Sequence, residues 1–267
     1  MKLYISADVE GTAGITHWDE TDYDRGGRWY DYFREAMGQE VKAAVEGAQA
    51  AGADDIVVKD AHDSARNFLP TILPRGVRIH RGWSGNPLWM VTGLDGSFDA
   101  LAMTGYHSAS GSCGNPLAHS MATNIDELLI NGLRTSEFVI NAYTAGYYGV
   151  AVPFLSGDIE LCESAHEFLP GITTAAVSEG QGNGSLSLHP QDARDAIRDG
   201  IKAALSKDLS DCMVKLPETF DIRVRYKNHP NAYRNSFYPG AAYLNEQTIG
   251  FKTDNWFEVI RFFSFVL

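Results

Sequence analysis

Asp8-Val9-Glu10 places two carboxylates at positions i and i+2, which an extended backbone points to the same side. Same-side acids repel one another unless a cation lies between them, so their pairing after an apolar run asks for a metal. His62, in Asp60-Ala61-His62, and His107, in Gly105-Tyr106-His107, add imidazoles. Neutral His with carboxylate is the donor mixture favoured by zinc and its first-row neighbours. Each residue alone has a plainer reading, as a turn-forming Asp or a hydrogen-bonded core His, and His17, His80, His166, His189 and His229 keep it. Glu137 follows Thr135 and Ser136, either of which can cap a helix, and so falls in a first turn where a carboxylate is electrostatically favoured. If Asp8, Glu10, His62, His107 and Glu137 form one set, three carboxylates face two divalent cations. Five ligands serve two metals most economically when one of them bridges, and Asp8, followed closely by Glu10, is the natural candidate for that role.

These residues are far apart in the chain, so the elements between them must bring them together. Leu3 to Ala7 is a short apolar run closed by Asp8 and Gly11, which predicts a buried strand ending in a loop. Phe33, Met37, Val41, Ala44 and Ala48 recur at helical spacing, Gly52 is placed to end that helix, and Ile56-Val57-Val58 reads as the next strand. Strand, helix and strand form a βαβ unit, whose crossover makes the strands parallel and sets Asp8 beside Asp60-Ala61-His62. Val77 to His80 and Phe98 to Thr104 read as further strands, the latter running out into His107. Ligands in open α/β sheets sit beyond the carboxyl ends of strands, where these acids and histidines converge.

The small-residue stretch from Ser108 to Pro116 reads as a surface loop, and Asn131-Gly132 as the turn of a β-hairpin ahead of the helix that starts near Glu137. Val150 to Leu155, Ile159 to Phe168 and Ile172 to Val177 form a second βαβ candidate. Gly180 to Gly184 reads as a linker, and Pro190 opens an amphipathic helix through Ile197 and Ile201. Ile222, Val224 and Tyr226 alternate as in a half-exposed strand, Thr248 to Phe251 is another, and Trp256 to Leu267 reads as a buried helix. The expected fold is α/β, a mainly parallel sheet flanked by helices. A catalytic metal-binding domain over 1–185 precedes a smaller C-terminal α+β domain over 186–267.

Composition excludes several classes. The 267 residues are 44% hydrophobic and 21% charged, an ordinary globular balance. The net charge of −12, with no stripe of Lys or Arg, argues against nucleic acid. Cys113, Cys162 and Cys212 are odd in number and lack paired spacing, which fits a reducing compartment. The apolar opening reaches Asp8 too soon for a signal peptide, and Trp256 to Leu267 is too short and too charged to span a bilayer, so a cytoplasmic protein without membrane contact is expected.

The opening Met1-Lys2-Leu3-Tyr4-Ile5-Ser6-Ala7-Asp8-Val9-Glu10-Gly11, with Asp60-Ala61-His62, Gly105-Tyr106-His107, Ala118-His119-Ser120-Met121 and Asn141-Ala142-Tyr143-Thr144-Ala145-Gly146-Tyr147-Tyr148, resembles the DppA-type D-aminopeptidases, dinuclear zinc metallopeptidases. The likeness covers the first two thirds of the chain in order. It departs at Ala61, where the family pattern has Ser, and over Ser108 to Ala118. The resemblance implies two zinc ions per subunit bridged by Asp8 and completed by Glu10, His62, His107 and Glu137, with His119 as the catalytic histidine. Manganese and cobalt tolerate the same donors. It also implies release of N-terminal residues, above all D-amino acids, from short peptides, and a homo-oligomer, by resemblance a decamer. His119 suits proton transfer by its ordinary pKa of about 6.5, whereas the family suggests a nucleophile; both roles stand. Two rivals share these residues: a two-metal hydrolase of another amide or a phosphoester, and a non-catalytic metal-binding protein.

Overall fold

The computed structural model describes residues 1–24 and 29–267. The first apolar run is strand β1 (Lys2–Ala7), and the helical repeat after it is α1 (Tyr30–Ala50), which leads into β2 (Asp55–Asp60). Then come β3 (Val77–His80), β4 (Ala100–Tyr106), the hairpin β5 (Ile125–Ile130) and β6 (Leu133–Arg134), α2 (Glu137–Tyr148), β7 (Ala151–Asp158), α3 (Ile159–Phe168) and β8 (Thr173–Gln181). The remainder is β9 (Gly184–Ser187), α4 (Pro190–Leu205), β10 (Phe220–Tyr226), α5 (His229–Asn235), β11 (Ala242–Asn245), β12 (Thr248–Thr253) and α6 (Trp256–Val266).

Seven strands form the main sheet in the order β3-β2-β1-β4-β7-β8-β9, parallel throughout except for the edge strand β9. The chain winds outward from β1 to β3 and then outward the other way from β4 to β8. Its reversal lies between β1 and β4, the position where such sheets leave a crevice at the strands' carboxyl ends. Register makes those ends level: Ala7 is opposite both Asp60 and Thr104. The alternation along β1 explains its two-sided burial, since Leu3 and Ile5 face Met37, Val41, Ile197 and Ile201 of α1 and α4, while Tyr4 joins the core of α2, α6 and the second sheet.

The second sheet has the order β11-β12-β10-β5-β6 and is antiparallel. Its hairpin turn is the expected one, with Asn131 at φ 52° and Gly132 at φ 82°. Two of its strands come from residues 125–134, and α4 lies against α1 on the main sheet, so the two sheets are not separated by a boundary at 185. Gly180 to Gly184 is no linker but the turn between β8 and β9, with Gly182 at φ 63°. No helix among the described residues is long and apolar enough to cross a membrane.

The stretch after His107 corrects the expectation of a surface loop. Ser108, Ala109, Ser110, Asn115 and Leu117 are buried. Their small side chains let backbone pack against neighbours, and protein groups satisfy its polar atoms: Ser108 N–H donates to Asp158 at 2.8 Å, Ser110 N–H to Ser120 Oγ at 3.1 Å and Cys113 N–H to Glu160 at 3.2 Å. Gly114 is close-packed, because a Cβ there would lie 2.4 Å from that of Glu160.

Candidate metal centre

The crevice is lined where β1 and β4 end. Asp8 N–H donates to Thr104 O at 2.9 Å and Gly11 N–H to Gly105 O at 2.8 Å, which holds the chain leaving β1 against the last residues of β4. The closeness depends on glycine: a Cβ on Gly11 would lie 1.8 Å from Tyr106 O, and Gly105, at φ 68°, would set one 2.3 Å from Asp8 O. Asp8 and Glu10 thus stand beside His107, while Ala61 N–H bonds Ala7 O at 2.8 Å and brings in His62. Glu137 arrives on the first turn of α2, whose N-terminus is capped by Ser136 Oγ accepting from Val139 N–H at 3.4 Å. Its Oε1 accepts from Met121 N–H at 2.7 Å, tying the loop that carries His119 to the same helix end.

All five expected ligands, and His119 with them, share one cluster. His62 Nδ1 lies 3.3 Å from Asp8 Oδ1 and 3.1 Å from Glu10 Oε2. His107 Nε2 lies 3.6 Å from Asp8 Oδ2 and 3.6 Å from Glu137 Oε2. The two oxygens of Asp8 therefore address two different histidines, and the donors fall into three overlapping triads: Asp8-Glu10-His62 and Asp8-His107-Glu137, which share Asp8, and Glu10-His107-His119. Zinc with bonds of about 2.0 to 2.2 Å in tetrahedral array sets its ligands roughly 3.3 to 3.6 Å apart, close to these separations. Asp8 Oδ2, Glu10 Oε2 and His107 Nε2 are buried without a hydrogen-bond partner, which is the state of atoms shaped for a cation. The residues present fit bound metal.

Each histidine is oriented from behind. A carbonyl only accepts, so His62 donates Nε2–H to Thr21 O at 2.9 Å, His107 donates Nδ1–H to Ser108 O at 3.0 Å and His119 donates Nδ1–H to Leu117 O at 2.9 Å. The second nitrogen of every ring is thereby left to face the carboxylates. Asp158 fixes the Ser108 backbone and also caps α3, accepting from Leu161 N–H at 2.9 Å. Asn67 bonds Asp60 and donates to His62 O at 2.7 Å, so Asp60 supports the centre without entering it.

Electrostatics make the same demand. Burial, then the charge of Glu10, pushes Asp8 well above the usual carboxylate range. Burial also pushes Glu10 upward, but His62, His107 and His119 outweigh it and hold Glu10 well below that range. Burial opposes charge on His62 and His107, yet Glu10 and Asp8 raise the first and Glu137 the second, well above the ordinary imidazole value. Within 4.0 Å, the cationic partners of these three carboxylates among the described residues are histidines. Three buried acids hold together only by sharing positive charge, as imidazolium protons or as divalent ions.

His119 completes the group from the rim. Its ring stacks on His107, with centroids 4.3 Å apart and an 11° tilt, and Trp18 meets it edge-on at 5.3 Å. Its Nε2 lies 3.5 Å from Glu137 Oε1 and 3.9 Å from Glu10 Oε1. Burial and the charge of His107 hold its pKa below the ordinary value. A cleft of about 390 Å³ opens in front, walled by Trp18, Trp83, Met90 and Met121. These walls were not singled out from the sequence. A tryptophan in a polar segment is a signal that exists, but nothing local says which cleft it faces.

The model of the D-aminopeptidase family matches residues 1–265 of the chain. The chain belongs to the D-aminopeptidase family. A D-aminopeptidase of Bacillus subtilis (strain 168) is 30% identical over 241 residues, which cover 90% of this chain and 86% of that one. A solved structure, the Zn-dependent D-aminopeptidase DppA from Bacillus subtilis, described as a self-compartmentalizing protease, superimposes with a TM-score of 0.90 at 28% identity. The match covers 98% of this chain and 95% of that one. A fold shared over nearly the whole length, with family membership, makes this D-aminopeptidase family member a peptidase, a hydrolase of the metalloprotease kind.

Proposed function

We propose that Asp8, Glu10, His62, His107 and Glu137 hold two zinc ions in each subunit with Asp8 between them. In this reading the enzyme releases N-terminal residues, D-amino acids above all, from short peptides, with His119 as its catalytic histidine. The observation that carries the reading is the pair of triads sharing Asp8. The Zn-dependence of the solved relative supports zinc over manganese or cobalt. Zinc bound there supplies Lewis acidity toward a peptide carbonyl and a nucleophile active near neutral pH.

The chain's own residues do the rest. With its Nδ1–H committed to Leu117 O, His119 offers a bare Nε2 toward the cleft, able to take a proton and return it to the leaving amine. Stacking on His107 and contact with Trp18 limit the swing of the ring. A cleft of about 390 Å³ takes a few residues of extended chain rather than a folded protein, in keeping with short peptides. Free thiols at Cys113, Cys162 and Cys212 support a reducing, cytoplasmic setting. The description of the solved relative supports assembly of this chain into a homo-oligomer.

Elemental analysis of purified protein, joined to hydrolysis of D-alanyl and L-alanyl peptides before and after chelation, tests the reading. Two zinc ions per subunit and D-peptide cleavage that stops on chelation and returns with zinc are expected. His119→Ala should keep its zinc and lose turnover by about 10²-fold or more. Loss of zinc from that variant makes His119 a ligand, and preference for the L-peptide overturns the substrate assignment.

A further inference from the structure

Lys59, on β2, is fully buried, yet its ammonium has no carboxylate partner among the described residues. It donates to Asp60 O at 2.7 Å and Gly82 O at 2.8 Å, and lies 4.4 Å from the centroid of the Trp83 ring. An unpaired buried lysine is costly, and this one is spent on one face of a tryptophan. The same indole is fixed at its edge, donating Nε1–H to Asp63 O at 2.6 Å. Asp63 at φ 41° and the buried Ala65 at φ 54° hold left-handed backbone that non-glycine residues seldom adopt, and Gly82 N–H bonds Ala65 O at 2.8 Å to lock the two loops together. Strain of this kind gathers at ligand clamps.

For all this fixing, Trp83 remains 44% exposed and lines the cleft that holds Asp8 and His62. With Lys59 on its inner face, the ring has its other face for the cleft. That face offers a broad apolar surface in a cleft also lined by Asp8, Glu10, Asp63 and Glu137, so it suits an apolar or aromatic group. We propose that Trp83 is a specificity-determining residue whose open face receives an apolar or aromatic side chain of the bound peptide, with Lys59 and the Asp63 carbonyl as the groups that position it. This rests on the peptidase reading of the site and names what that site prefers.

The zinc-loaded enzyme and its Trp83→Ala and Trp83→Phe variants should be compared on D-Phe-D-Ala, D-Ala-D-Phe and D-Ala-D-Ala, with calorimetric binding of D-phenylalaninamide and D-alaninamide alongside. In Trp83→Ala, KM for at least one phenylalanyl dipeptide should rise by about tenfold relative to D-Ala-D-Ala, with kcat within about twofold, and Trp83→Phe should recover most of the loss. Lys59→Met should reproduce the same KM pattern in weaker form. Because Trp83 is partly exposed, its variants should fold even if the Lys59 variant does not. Parallel changes in KM for all three dipeptides, or none, overturn the proposal. Were the wild type to cleave no dipeptide, the peptidase reading would fail, and binding of the two amides would still decide the wall: equal loss of both in Trp83→Ala sinks it.

Discussion

Under the proposed arrangement, removing Asp8 should cost the protein more metal than removing His62, because Asp8 belongs to both of the triads that would hold zinc while His62 belongs to one of them. Asp8→Ala is expected to fall to near zero zinc per subunit, and His62→Ala to retain roughly one, the ion of the Asp8-His107-Glu137 triad. Zinc counted by mass spectrometry on dialysed protein checks this; equal retention by both variants would sink the bridging role. At this scale the proposed ligands were legible because each stands where a strand ends or a helix begins: Asp8 and Glu10 after β1, His62 after β2, His107 after β4 and Glu137 in the first turn of α2. His119 has no such address. It sits in an irregular stretch, before Met121 at φ 65°, and was legible only by family resemblance. The carbonyls of Thr21, Ser108 and Leu117 that set the tautomers were not legible at all, since every residue owns a carbonyl and only the chain path says where it points.

The elements behind the site carry their own cost, seen in α1. Glu40 is buried on its inner face, one oxygen accepting from Ala13 N–H at 2.9 Å and the other unpartnered. Burial pushes its pKa up to about 7, against the opposing pull of the Ala13 hydrogen bond and Arg194. Between its unfolded value near 4.5 and about 7, the native chain keeps a proton that the unfolded chain has lost. The stability Glu40 contributes is thus full below pH 4.5 and is lost as pH rises through about 7, to the extent of roughly 3 kcal/mol. Glu40→Gln removes that titration. Denaturant melts of both proteins at pH 4.5 and pH 8 should show the variant gaining on the wild type by about that amount, and a constant difference would refute the buried, titrating carboxyl. Burial of a glutamate inside an amphipathic repeat is invisible to periodicity, which marked Met37, Val41 and Ala44 correctly and treated the polar positions alike. Other misreadings have similar causes. The β8–β9 turn has the glycine content of a linker, α5 is only seven residues with a proline near its start, and every residue of β11 is exposed, so no alternation marks it.

At the scale of the whole molecule, a chain of net charge −12 repels its own copies, so self-assembly needs an apolar face large enough to overcome that field. The C-terminal layer exposes several large apolar side chains. Phe237 and Phe265 are 71% and 70% exposed, and Tyr233, Tyr243 and Leu244 lie exposed with them, Tyr233 touching the rings of Phe237 and Tyr243. Beside them runs β11, an edge strand of the second sheet with all four residues exposed, a ready template for pairing. Exposed aromatic patches mark contact surfaces, and under the homo-oligomer proposed above a second copy of the chain is the expected cover. Light scattering at micromolar concentration should return a mass well above the 29.3 kDa of one chain. Because contact is apolar and the opposing force is like charge, raising salt should favour assembly by screening, the reverse of an ion-paired interface. Phe237→Glu combined with Phe265→Glu adds charge at exposed positions that leave the core intact, and should lower the assembled mass. A wild-type monomer at these concentrations, or a double variant assembled as fully as the parent, would remove this face from the interface.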